Sequence, residues 1–304
     1  MPTSGEYRSS PIPCPACGVP TPAAAMTVPD FEYRVGHSGH YAECHACGTL
    51  FQHPMPGLDQ LAGYYPANYH AATSKGLISH LRHGGRWRQL APLLAGDGAL
   101  LDYGCGNGAF LLWLAAQNPG RPLFGYEIGE RDTVEHLADG AVTIVRGRPE
   151  HLFAVLPGCR VITMNHVIEH LPDPAATIAG LSPFLVPGGC FQGQTPAADS
   201  LERQVFGRHW SGYHSPRHTV IFSRAGLTRM LGRLGFEPPV IATAFNPAAI
   251  GVSLAATFGP SRGIRRGGVS WLVWLGGATV LAPIDLWCGR GGIIDFQAVR
   301  LRAS

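Results

Sequence analysis

Residues 100–110 read LLDYGCGNGAF, and no other stretch constrains the fold as tightly. An apolar run enters three alternating glycines, Gly104, Gly106 and Gly108, and a second apolar run leaves them. Glycine accepts the left-handed backbone that a sharp strand-to-helix turn demands. Such a turn offers its backbone amides to a ligand at the helix start. The pattern fits a scaffold of repeated strand–turn–helix units.

The rest of the chain keeps that rhythm. Residues 99–103, 123–127, 141–145, 160–164 and 189–194 read as short apolar strands, the last following the turn Pro187-Gly188-Gly189. Between them, 109–117, 131–138, 150–156 and 175–185 carry helical patterns, and 293–302 alternates as a final strand. This alternation predicts an α/β fold, a mostly parallel sheet with helices on both faces. Ligands then bind at the carboxyl ends of the strands. With 45% apolar and 14% charged residues, the chain can bury a sizeable core. A net charge of +3 with scattered arginines gives no footprint for nucleic acid.

Ahead of that repeat stand two Cys-x-x-Cys pairs, Cys14/Cys17 and Cys44/Cys47, 26 residues apart and each followed by glycine (Gly18, Gly48). Four thiolates on two such knuckles close a tetrahedral zinc sphere, so a structural Zn2+ is expected there. The N-terminus has no apolar signal region, which predicts a cytoplasmic protein whose thiols stay reduced. Cys105, Cys159, Cys190 and Cys288 are isolated and read as small buried hydrophobes. The expected organisation is a zinc ribbon over 1–60, a helical connector over 61–98, and the repeated domain over 99–304.

Within that domain an apolar insertion spans about 246–290. No charge occurs at 238–261 or at 267–284; between these runs stand Arg262, Arg265 and Arg266. Three readings stay open: a buried helix covering the site, a helix lying on a membrane or lipid surface, or a membrane span.

The glycine turn is neither a dinucleotide fingerprint nor a phosphate loop: the spacing is Gly-x-Gly-x-Gly and no lysine follows. Asp102 at the strand end repels a pyrophosphate but suits an amino group. Glu127, 25 residues later at the tip of the next strand, is placed to accept ribose hydroxyls. A ligand with a ribose, a cationic amino-acid portion and no phosphate is S-adenosylmethionine. Through DYGCGNG, GYEIG, HVIEHLPDP and PGG the chain resembles the class I S-adenosylmethionine-dependent methyltransferases. It resembles the branch that includes ubiquinone-pathway and many small-molecule methyltransferases, in particular bacterial members carrying an N-terminal zinc-binding segment.

That resemblance implies a Rossmann-like seven-stranded sheet and methyl transfer to a small-molecule acceptor. It places Asp102, Gly104, Cys105 and Gly106 around the methionine portion and Glu127 on the ribose, with Ile128, Asn165 and His166 also at the cofactor. The acid the family often sets against adenine is replaced by Arg148 and Pro149, with Glu150 nearby, which implies recognition by backbone groups. The resemblance lays the segment 206–223 over the acceptor, giving His170, Trp210, Tyr213 and Arg217 as substrate-binding residues.

The histidines allow three roles. One of His166, His214 and His218 is a general base; or His166, Glu169 and His170, with His214 or His218, hold a divalent metal; or the Glu169–His170 pair braces the loop. A Glu-x-x-Glu-His arrangement occurs in some relatives, and His166 replaces its first glutamate. An apolar or aromatic acceptor, a quinone precursor or a deoxysugar all suit this cleft, with oxygen ahead of carbon or nitrogen as the acceptor atom. A non-catalytic cofactor-binding protein with a zinc interaction module is the alternative.

Overall fold

The computed structural model describes residues 11–23, 25–34, 36–65, 76–117, 120–259, 264 and 269–301. The arginines at 262, 265 and 266 and part of the connector fall outside these residues.

The first elements are short strands: β1 (Ile12–Pro13), β2 (Pro20–Thr21), β3 (Ala25–Pro29), β4 (Ser38–Glu43) and β5 (Leu50–Gln52). Helices α1 (Leu58–Gly63) and α2 (Leu77–Leu90) follow. The repeat then runs β6 (Ala99–Tyr103), α3 (Ala109–Gln117), β7 (Leu123–Glu127), β8 (Thr133–Leu137), β9 (Val142–Arg146), α4 (Pro149–Val155), β10 (Cys159–Asn165) and α5 (Pro174–Leu181). The chain continues with β11 (Leu185–Pro196), α6 (Leu201–Phe206), β12 (Val220–Ile221), α7 (Arg224–Arg233) and β13 (Val240–Thr243). It ends with α8 (Pro247–Phe258), α9 (Val269–Cys288) and β14 (Ile293–Val299).

The main sheet has eight strands in the order β13-β14-β11-β10-β6-β7-β9-β8. The five from β11 to β9 are parallel, with antiparallel strands outside them. Alternate residues of each strand enter opposite cores. Leu101, Val145 and Ile162 pack with α4, α5 and α7, while Leu100, Ile144 and Val161 pack with α2 and α3. Helices therefore cover both faces, as expected.

The eighth strand corrects two expectations, the strand count and the helix over 131–138. Those residues form β8 instead, antiparallel to β9. Thr133 and Val134 are β-branched, and Ala138, Asp139 and Gly140 all take left-handed backbone, which builds a hairpin rather than a helix. The turn at Pro187-Gly188-Gly189 is likewise a bulge inside one long strand, where the pairing of β11 with β10 jumps.

The cysteine knuckles are near copies of each other. Gly18 N donates to Cys14 O (2.8 Å) and Gly48 N to Cys44 O (2.7 Å), both glycines in left-handed backbone. The sulfurs pair across the knuckles, Cys14–Cys47 at 3.7 Å and Cys17–Cys44 at 3.5 Å, and all four lie within 4.8 Å of one another. These are close to the tetrahedron edge of about 3.8 Å that a Zn–S bond of about 2.3 Å generates. The knuckles dock on α7, where Arg233 and Arg229 donate to Ala16 O and Ala46 O.

The N-terminal segment is not a separate body. Cys14, Cys44 and Phe51 belong to the same core as the main sheet. A second sheet, β12-β5-β4-β3, adds a strand of the main domain to three N-terminal strands. The stretch 213–221 is stitched to it: Tyr41 Oη donates to His218 O (2.9 Å), Gln52 Nε2 to Pro216 O (2.6 Å) and Ser215 Oγ to Val28 O (2.6 Å).

The apolar insertion is an excursion between two paired strands, β13 and β14. It folds as α8 against α9, with Ala278 and Ala282 of α9 packed on Ile250 and Leu254 of α8. Gly276, Gly277 and Pro283 do not interrupt α9. Its one acid, Asp285, turns inward to meet Glu202 of α6, and both side chains are buried. Burial and the neighbouring Asp285 push the Glu202 carboxyl up to about 8. Such a group favours the fold in its neutral form. Its contribution is complete below the ordinary value of 4.5 and is lost as pH rises through about 8. Glu202→Gln should flatten this loss, so that thermal midpoints of the variant and parent diverge between pH 4.5 and 8. An unchanged slope would clear the pair of that role.

Candidate active site

A cleft of about 960 Å³ opens at the carboxyl ends of β6, β10 and β11. Its floor is the glycine turn. Gly104 N and Cys105 N both donate to Tyr126 O (2.7 and 2.9 Å), which pins the turn against β7. A side chain at Gly104 would strike Val167 at 2.3 Å, whereas one at Gly106 would enter open space. Gly104, Cys105 and Asn107 of the turn line the cleft, whereas Gly106 and Glu127 do not. Gly106 N donates to Glu127 Oε2 (2.6 Å), so the carboxylate at the tip of β7 sits on the turn.

Asp102 lines the cleft, but its oxygens are engaged. Arg86 of α2 donates to both, at 2.5 and 3.3 Å, and Thr163 Oγ1 adds 2.7 Å to Oδ1. The Arg86 guanidinium lies 3.9 Å over the Phe110 ring and also lines the cleft. Arg86 is thus a cation on the cleft beside Asp102, and a second, Arg146, donates to Gly106 O of the turn (3.0 Å). The signal of Arg86 in sequence is faint, because Arg82, Arg86 and Arg88 look alike until the phase of α2 is known.

The opposite wall is built of imidazoles. His166, His170, His214 and His218 all line the cleft, with Asn165 and Gln194. His166 sits in left-handed backbone at the end of β10. Its Nε2 donates to Gln194 Oε1 (2.9 Å), whose amide donates in turn to Asp295 (2.9 Å). Its Nδ1 lies 3.4 Å from Glu169 Oε1. Desolvation opposes the charge, but these acceptors outweigh it and raise the His166 pKa. Glu169, 0% exposed, is lowered: burial works against the carboxylate and His166 overcomes it.

His170 and His218 behave oppositely. Burial pushes His170 down to about 4 and His218 well below its usual range. His218 Nδ1 donates to Gly212 O (2.7 Å), since a carbonyl can only accept, while His170 Nδ1 faces both Arg217 O (3.2 Å) and the Tyr65 hydroxyl (2.9 Å). The other nitrogen of His218 carries the lone pair, and one ring nitrogen of each histidine lies within 4.8 Å of the Glu169 carboxylate. Glu169 Oε1 makes no hydrogen bond among the described residues.

His214 is held differently. Its Nδ1 lies 2.8 Å from Glu32 Oε2, and Glu32 comes from the N-terminal segment. Asp30 sets that contact. One of its oxygens accepts from the backbone of Glu32 and Tyr33 (3.1 and 2.9 Å), and the other takes Arg217 Nη2 (2.8 Å). The sequence offers only an acidic, aromatic stretch, PDFEYR, and nothing in its spacing connects it to a histidine 182 residues away.

Three residues expected to touch the acceptor lie behind the wall. Trp210, Tyr213 and Arg217 are 2%, 2% and 0% exposed and do not line the cleft. Arg217 answers Asp30 and stacks over Tyr33, 4.5 Å from its ring centre. Ile128 stands exposed beyond Glu127. In place of an adenine-side acid, Arg148 pairs with Asp132 at 3.0 Å.

Among solved structures, the chain is similar to a SAM-dependent methyltransferase from Archaeoglobus fulgidus (18% identity, 73% of this chain and 94% of that one, TM-score 0.45). It is also similar to a SAM-dependent methyltransferase from Thermotoga maritima (17%, 72% and 96%, TM-score 0.42). A third is the plantazolicin methyltransferase BamL in complex with a desmethyl analogue and SAH (11%, 80% and 97%, TM-score 0.45). No curated protein matches it in sequence. Residues 80–239, more than half of the chain, match the family model described as a methyltransferase domain, and the chain belongs to that family.

Proposed function

We propose that this methyltransferase uses S-adenosylmethionine to methylate a small, largely apolar or aromatic acceptor, with His214 as the general base. The supporting observation is the Glu32–His214 contact of 2.8 Å on the same cleft as the glycine turn. A carboxylate can only accept, so His214 Nδ1 carries the proton and Nε2 the lone pair. This is how a carboxylate orients an imidazole that removes a proton from a nucleophile.

The other histidines suit that task less well. Acceptors face both nitrogens of His166, which favours its charged form. His218 is buried and neutral, so it binds a proton weakly. An acceptor hydroxyl is the simplest partner for a base placed on this wall, which keeps oxygen ahead of carbon and nitrogen.

On the cofactor side, the open space at Gly106 and the Glu127 carboxylate fit a nucleoside, and Arg86 offers a cation to a carboxylate. When bound, S-adenosylmethionine supplies a methyl group already activated by its positively charged sulfur, so the protein's work is alignment and proton removal. Asp102 acts mainly by holding Arg86.

The four-cysteine centre fits a structural zinc. It offers no ligand-free position, it lies away from the cleft, and it stands at the end of β4, which with β3 flanks the loop carrying Asp30 and Glu32. A second reading of the imidazole wall has one observation in its favour. Glu169, His170 and His218 offer three ligand atoms within 4.8 Å of one another, with the His218 tautomer fixed by a backbone carbonyl. In that case chelation abolishes turnover, and a divalent ion restores it while the four-cysteine zinc stays in place.

Glu127→Ala and Arg86→Ala should each weaken S-adenosylmethionine binding by about 1.5–3 kcal/mol in calorimetric titration. Parent-like affinity in both would misplace the cofactor. For the base, release of S-adenosylhomocysteine with a panel of phenolic acceptors should fall about 100-fold or more in His214→Ala. Glu32→Gln should shift the pH profile, with cofactor affinity unchanged in both variants. Retention of full rate in His214→Ala would remove it as base. Elemental analysis should find one zinc per chain; Cys44→Ser should lose the metal and lower the thermal midpoint.

A further inference from the structure

The α9 helix is apolar on both sides, and among the described residues one side is packed and the other exposed. Trp271, Trp274, Ala278, Ala282 and Asp285 turn inward, toward α8 and Glu202. At the opposite phase stand Val273 (66% exposed), Val280 (76%), Ile284 (46%) and Trp287 (89%), spaced seven, four and three residues apart as one helical stripe. Leu272 and Leu281 widen it. A contiguous apolar face of this kind is rare on a soluble monomer and marks a contact surface.

We propose that this face docks, lying flat, on the surface of a bilayer containing anionic phospholipid. Two observations select lipid over a second copy of the chain. From Pro238 to Ile284 the sequence contains three charges, Arg262, Arg265 and Arg266, all positive, and the exposed Arg290 follows two residues after α9. Flanking sequence whose charges are all positive complements anionic headgroups and repels an identical chain. The most exposed side chain, Trp287, lies at the helix end nearest Arg290, where an amphipathic ring suits the headgroup level.

One helix among the described residues, Ser270–Cys288, is long and apolar enough to cross a membrane. The connections argue against crossing. The four residues 289–292 tie the end of α9 to β14 in the main sheet, and the inner face is packed on α8. Crossing would strip that packing and draw Asp285 from its partner Glu202, whereas lying flat disturbs neither. Because α8 also lines the cleft through Ala248, Ala249 and Val252, docking sets the cleft about one helix diameter, ~10 Å, above the lipid.

The test is flotation of the full chain with 100 nm vesicles of phosphatidylcholine alone or with phosphatidylglycerol. Binding to the mixed vesicles, weakened by high salt and at least tenfold lower on pure phosphatidylcholine, is the expected result. Val280→Asp with Trp287→Asp should lower it at least tenfold, with the thermal midpoint and turnover on a soluble acceptor unchanged, since both side chains are exposed. Replacing Arg262, Arg265 and Arg266 by alanine should lower binding only to the mixed vesicles. No binding by the parent chain, or equal binding by the double variant, overturns the proposal. So does a lipid-free dimer in sedimentation that the same double substitution dissociates.

Discussion

Much of this molecule hangs on one buried ion pair, Arg217 with Asp30, 0% and 2% exposed at their side chains. It joins a residue packed behind the cleft wall to one 187 positions earlier. A pair with no water to share its charge costs about 3–5 kcal/mol to break from one side, so neither partner is free to move. Asp30 spends one oxygen on the arginine and the other on the backbone of Glu32 and Tyr33. The carboxylate that locks the N-terminal segment onto the domain thereby also presents Glu32 to His214. The four cysteines stand at the far end of the same arrangement, ordering a segment whose strands are too short to hold themselves.

The cleft separates its charges by environment. Next to the glycine turn, Arg86 and Asp102 neutralise each other beside Phe110. On the other wall, a fully buried Glu169 is surrounded by imidazoles of unequal character: His166 drawn toward its charged form, His170 and His218 kept neutral by burial. One carboxylate can stabilise one added proton in its neighbourhood, and a second would repel the first. The wall is thus poised to hold a single positive charge near Glu169, apart from the Glu32–His214 pair.

The strands at the centre of the sheet were legible because both their faces are buried. Residues 99–103 and 123–127 are apolar runs ended by Asp102-Tyr103 and Glu127, and no helix of that length could bury them equally. The segment 131–138 misled because RDTVEHLA fits either period over so few residues. The left-handed turn after it, and the open edge of β9, made it a strand. In 187–189 the glycines signalled a break, yet the neighbouring strands carried the pairing through it as a bulge. The apolar tail was recognised as apolar; that its inner face meets α8 while its outer face stays bare could not be read from composition, because both faces have the same residue types.

What the sequence determined by itself was local: the glycine turn, the two cysteine knuckles, the parallel repeat and the family they imply. Each rests on contacts between residues close in the chain or on the periodicity of one strand. The tertiary structure alone decided which carboxylate meets which cation. Asp102 is claimed by Arg86, His214 by Glu32, and Arg217 is drawn out of the cleft by Asp30. A buried charge must find a partner wherever the fold supplies one, and sequence separation has no bearing on that choice.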